Sequence, residues 1–236
     1  MSVDHLAASN GWPPRKKDVS LLRLGVCFLA TVTFAAACAA PFAEMQSARL
    51  AGRGKVEVTP FYSHMDIADD GETAKLQDVF GMHLATGITE RLDLRARLER
   101  VVVNDAEGVD FSVTVLGLGP KLSLIPDQLA LHLPVGFAFG SDIDESQTWQ
   151  FHPSVIGTIP VVQTAEFNGS FKLLIPISDA GENNDVLLAL NLGLGIGPDR
   201  SRWAIRPEVG FLRNPGESGT IRHFSIGFTL FLGAER

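Results

Sequence analysis

From residue 55 to residue 232 bulky apolar side chains recur at every second position, and no stretch repeats them at helical spacing. The segment LDLRARLERVVV, Leu92 to Val103, shows the pattern most sharply. As a strand it puts Leu92, Leu94, Ala96 and Leu98 on one face and Asp93, Arg95, Arg97 and Glu99 on the other. A chain with this period over most of its 236 residues is confined to the all-β class. Ten strands are predicted, at 55–64, 76–88, 92–103, 109–124, 129–140, 148–160, 166–177, 185–197, 203–213 and 221–232.

The connections distinguish a barrel from a sandwich. The odd-numbered ones (MDIADDGETA, NDAEG, SDIDESQ, SDAGENN, NPGESG) are polar and mostly acidic, and several are long. The even-numbered ones (ITER, IPDQ, VVQTAE, GPDRSR) are mostly shorter. In an up-and-down meander all odd connections lie at one end and all even ones at the other. Long loops at one end and tight turns at the other are the pattern of an outer-membrane barrel. The expected fold is therefore an up-and-down antiparallel β-barrel of about ten strands, of outer-membrane type.

The minor face decides which side is out. Exposed soluble strands favour Thr, Lys and Glu, because glycine packs nothing there. Here that face repeatedly carries Gly81, Ala85, Gly136, Gly193, Gly210 and Gly227, which suit the crowded inside of a narrow barrel. The apolar face then meets lipid, with Trp149 and Trp203 at opposite ends as interfacial aromatics. Pairing across the ITER turn places His83 near Arg97, with Glu99 deeper, so Arg95, Arg97 and Glu99 form a lumen charge network. Arg206 and Glu208 make a second mixed-sign pair, with Asn191 nearby. Pro60, Pro134, Pro153 and Pro207 fall in mid-strand, where each removes a ladder hydrogen bond.

Residues 1–43 read as a targeting and cleavage region. Arg15, Lys16 and Lys17 precede an apolar run from Leu21 to Ala37 that is too short for a membrane-spanning helix. Cys38 follows three alanines and is a candidate for lipidation. The alternative is ordinary cleavage after Ala40 or Ala43. Residues 44–54 read as a linker and 55–233 as the barrel.

Twelve of the 27 acidic residues fall in the odd connections, and Asp110 and Asp185 at their edges make fourteen. Asp66, Asp69, Asp70, Glu72, Asp142, Asp144 and Glu145 are the candidates for an acidic rim that attracts divalent cations, although no loop carries the twelve-residue calcium pattern. The other reading is a solvated rim. The net charge of -7 offers no footprint for nucleic acid. GLGIG at 193–197 opens no helix and so does not cradle a nucleotide. No cofactor or metal site is expected and no catalytic residue is assigned. A rim hydrolase built on His64 and His223 is the weakest alternative, because strand parity sends the two to opposite faces.

The segments EMQSARL, KVEVTPFYS, LGLGPKLSLIPDQLALHLPVGFAFG, AIRPEVGFLRNPGESG and HFSIGFTLFLG resemble those of poorly characterised bacterial outer-membrane β-barrel proteins. The resemblance spans most of residues 44–233. It implies an outer-membrane barrel, often behind a lipoprotein-like signal, and it carries no catalytic residue. The lipid-facing reading of the apolar face makes outer-membrane lipids the expected partners. The chain departs from the usual barrel ending, since Phe231 is followed by Leu-Gly-Ala-Glu-Arg. Two functions remain open: an outer-membrane barrel with a structural, binding or narrow small-solute passage role, or a lipid-anchored periplasmic barrel with its leucines turned inward around an apolar ligand.

Overall fold

The computed structural model describes residues 42–69, 71–103, 111–140, 148–178, 185–216 and 218–233. Its strands are β1 (Val56–Asp69), β2 (Glu72–Thr89), β3 (Leu92–Val103), β4 (Phe111–Ile125), β5 (Leu129–His132), β6 (Val135–Phe139), β7 (Gln150–Phe151), β8 (Ser154–Val162), β9 (Ala165–Pro176), β10 (Leu187–Ile196), β11 (Trp203–Arg213) and β12 (Thr220–Leu232). Each pairs antiparallel with its neighbours, and β12 returns to pair with β1 over Val56↔Leu232 to Ala68↔Thr220. The sheet is closed. β5 and β6 are two halves of one barrel strand, as are β7 and β8, so twelve segments make a ten-stranded antiparallel barrel.

The mid-strand prolines fit in two ways. Pro60 and Pro207 keep register on one side (Pro60↔Met82, Pro207↔Ile226). On the other side the ladder skips them, between Val58↔Leu230 and Phe61↔Gly227 and between Gly193↔Glu208 and Ile196↔Ile205. Pro134 and Pro153 instead split their strands. The wall is carried past them by Leu133 and His152 amides donating to Pro120 and Pro134 carbonyls (3.0 and 2.9 Å), and by Leu173 N–H donating to Pro153 (3.0 Å). A proline has no N–H for the ladder, so the chain bends there while neighbouring amides close the gap.

Side chains sort as the period requires. Phe80, Leu98, Leu118, Ile159, Phe171, Leu190, Ile205 and Phe224 are exposed on the outer face. Asp93, Arg95, Arg97 and Glu99 are buried inside. Trp149 stacks on Phe137 on the outside (4.7 Å), and Trp203 lies against Phe228 (5.9 Å). A pocket lined by inward leucines is not what the barrel contains, because its interior is polar and charged.

The segment expected as a linker does something else. Residues 42–48 are buried, and the chain runs down the lumen before leaving beside β2 to enter β1. Gly87 makes that exit possible: a Cβ there would sit 1.9 Å from the carbonyl oxygen of Gly52. Gly54 N–H donates to Gly87 O, and Gly87 N–H donates to Lys55 O, both at 3.0 Å. Nothing in a period-two reading marks this segment, because an extended strand inside a barrel has neighbours on all sides. Residues 1–41, including Cys38, lie outside the described residues.

Candidate functional site

The candidate site is the lumen with residues 42–51 lying in it. Much of the grip is on main chain. Glu208 accepts the amides of Glu44 and Met45 through its two carboxylate oxygens (2.8 and 2.9 Å). Asp93 accepts the amide of Ala51 (2.8 Å), and the Thr158 hydroxyl that of Ala48 (2.7 Å). Lys121 donates to the carbonyls of Ser47 and Arg49 (2.5 and 2.8 Å). Lys172 and Asn191 donate to that of Phe42 (3.1 and 2.9 Å). An extended segment has its own amides and carbonyls unpaired, and these would be costly to bury without such partners.

Side chains add contacts along the same line. Glu44 pairs with Lys172 at 2.9 Å, Gln46 Nε2 meets His132 Nδ1 at 3.3 Å, and Arg49 pairs with Glu166 at 3.0 Å. Phe42 meets the His223 ring edge-on at 4.7 Å. Gly210 leaves room for this end of the lumen, since a Cβ there would lie 2.1 Å from His223 Nε2. The space left between segment and wall includes a cavity of about 20 Å³ lined in part by Glu44, Gln46, His83, His132 and Lys172. That is room for about one water molecule. The barrel is shut.

The wall carries its own ion pairs. Arg95 meets Glu57 through two parallel bonds (2.7 and 3.1 Å) across the intervening β2. Glu99 accepts from Arg97 (2.6 Å) and lies 3.0 Å from His83 Nε2, and the registers His83↔Arg97 and Gly81↔Glu99 set this up. Glu166 collects Arg49, Arg200 (2.5 Å) and Arg206 (3.4 Å). Buried charges persist only when paired and hydrogen-bonded, and Glu57, Glu99 and Glu166 each have an arginine.

The expected residues therefore divide. The structure brings His83, Arg97 and Glu99 together, with Arg95 one step along β3. Arg206 and Glu208 share β11 but turn to different partners, Arg206 to Glu166 and Thr229, Glu208 to the amides of the inner segment. Asn191 joins Phe42 to His223. Of the acidic rim, Asp66 bonds His64 (3.1 Å), Asp69 accepts from Ser218 (2.9 Å), and Glu72 opens β2. Asp70, Asp142, Asp144 and Glu145 lie outside the described residues. His64 and His223 sit on opposite faces of the wall, so the two do not share a site: His64 meets Asp66 and Asp78 outside, and His223 lies near Glu208 (3.8 Å) inside. Glu57, Lys121, Glu166 and Lys172 were missed. Each is a charge at inward parity, the same signal that marked Arg95 and Glu99.

The chain matches no protein-family model and no curated protein sequence. Several solved barrels align with it at low identity. An outer membrane channel from Pseudomonas putida F1 aligns over 81% of this chain and all of its own (100%), at 10% identity and a TM-score of 0.48. Ail, the attachment invasion locus protein of Yersinia pestis, covers 76% of this chain and 99% of its own at 13% identity and 0.37. The translocator domain of the autotransporter NalP from Neisseria meningitidis covers 90% and 97% at 9% identity and 0.41.

Proposed function

We propose that this chain is a bacterial outer-membrane barrel whose lumen is closed by its own residues 42–51, and which gives small polar solutes a narrow passage when that segment withdraws. The carrying observation is that wall side chains hold both the amides and the carbonyls of the segment. Membrane placement is supported by the outer face, where Leu98, Leu118, Ile159, Phe171, Leu190 and Ile205 stand exposed round the wall. The short-turn end, where β1 begins and β12 ends, faces the periplasm. Both signs of charge line the passage, so hydrophilic solutes of either sign are accommodated. The protein is not an enzyme in this reading, and it needs no cofactor.

Two measurements test it. Unheated and boiled samples of the washed membrane fraction are compared on SDS gels; a heat-dependent mobility shift is expected, and release into buffer without a shift would remove the membrane placement. Planar-bilayer recordings then compare the full chain with a variant lacking residues 42–51 and with an Ala48→Cys/Thr158→Cys pair. The deletion should conduct steadily, while the oxidised pair should stay silent until reduced. A correctly shifted deletion variant that never conducts would leave only a structural or binding role.

A further inference from the structure

The outer face is not uniformly apolar. Cross-strand register defines rows of outward residues. One row reads Ile226, Tyr62, Phe80, Arg100, Thr114 across β12 to β4. The next toward the long-loop end reads Phe224, His64, Asp78, Val102, Ser112, and the next Arg222, Asp66, Lys75. Immediately below, Met82, Leu98 and Leu116 begin an apolar wall. Charge therefore starts abruptly in one sector, just past a Tyr62–Phe80 aromatic pair (5.2 Å).

Within that sector the acids are already engaged. Asp78 binds Lys75 (2.7 Å), His64 (2.8 Å) and the Tyr62 hydroxyl (2.8 Å), and Asp66 binds His64. The two arginines meet hydroxyls instead. Arg100 donates to the hydroxyls of Thr114 (2.9 Å) and Ser112, and Arg222 to that of Thr73 (3.0 Å). Neither has a carboxylate partner among the described residues. They flank the sector from β3 and β12, three interstrand spacings (about 14 Å) apart across the sheet and two rows (about 13 Å) apart along it.

We propose that this sector binds one phosphorylated glycolipid of the outer leaflet, its acyl chains on the leucine rows and its sugar-borne phosphates on Arg100 and Arg222. Guanidinium groups bind phosphate through paired N–H donors, and the hydroxyls they now contact hold them pointed along the wall. Across that diagonal one phosphodiester headgroup cannot reach both guanidinium groups, whereas two phosphates at opposite ends of a disaccharide meet one each. The inference rests on the membrane placement proposed above.

The test is native mass spectrometry of the full chain in detergent micelles, with hexa-acylated diglucosamine bisphosphate as probe. The wild type should retain one probe molecule. Arg100→Ser/Arg222→Ser should weaken retention at least tenfold, whereas Arg91→Ser at the short-turn end should not. The dephosphorylated glycolipid should be retained weakly by all three. Equal retention by the double variant, equal retention of the dephosphorylated probe, or displacement by inorganic phosphate alone would each overturn the site. So would a dimer peak lost with the same two substitutions, which would make the sector a contact between copies. Each variant is first shown to keep its heat-dependent mobility. A wild type without that shift would refute the membrane placement itself, whereas a shifted wild type that ignores the probe would refute only the lipid site.

Discussion

Lys121 projects from β4 into the lumen and donates its ammonium to the main-chain carbonyl of Ser47 at 2.5 Å. The lysine is fully buried, and its second bond goes to the Arg49 carbonyl. The wall thus places a charge that, among the described residues, hydrogen-bonds to the inner segment alone. Lys121→Met would leave two buried carbonyls without their donor, at about 1–3 kcal/mol each. Exchange of the Ala48 and Ala51 amides, followed by mass spectrometry, should accelerate roughly tenfold or more at that cost. Unchanged exchange would mean the segment is held by something else.

The exit beside Gly87 gives an independent handle. A methyl group at this position would overlap the Gly52 carbonyl, which is main chain and has no rotamer to escape into. Gly87→Ala should therefore raise the frequency of open events in bilayer recordings without altering the mobility shift. A variant as silent as wild type would show that the exit path is free to move.

Arg95 and Glu57 form a buried, doubly hydrogen-bonded pair in the wall. Removing one partner of a buried ion pair leaves an uncompensated charge, so Glu57→Gln should destabilise the barrel by about 3–5 kcal/mol. The midpoint of urea unfolding in micelles reports this. The Glu57→Gln/Arg95→Met double variant should recover much of the loss, and simple additivity of the two single effects would argue against coupling.

The outer face separates a membrane barrel from a soluble one. Leu98 is 45% exposed and Leu118 55%. In water, replacing either with arginine would be nearly neutral. In lipid near mid-membrane, Leu118→Arg should cost about 2–4 kcal/mol. Folding yield into vesicles measures the difference, and an unaffected yield would count against lipid contact.

Arg97 holds Glu99 in the lumen at 2.6 Å. In a barrel lacking residues 42–51, Arg97→Ala would bare that carboxylate and shift the reversal potential in a salt gradient toward cation selectivity. No shift would place the conducting path away from β3.

The sequence by itself determined the strand periods, the number of barrel strands, and which residues face inward, because side chains alternate with period two and glycine and alanine mark the crowded side. The pairing of His83 with Arg97 followed from a tight turn whose length sets the register. What alternation does not encode is contact between residues far apart in the chain. Glu57 reaches Arg95 past β2, and Glu166 gathers three arginines from separate segments. The role of residues 42–51 was decided only by closure. An extended peptide with no period of its own reads as a linker until a closed wall surrounds it, and its burial then depends on lysines, carboxylates and hydroxyls that satisfy its backbone from several different strands.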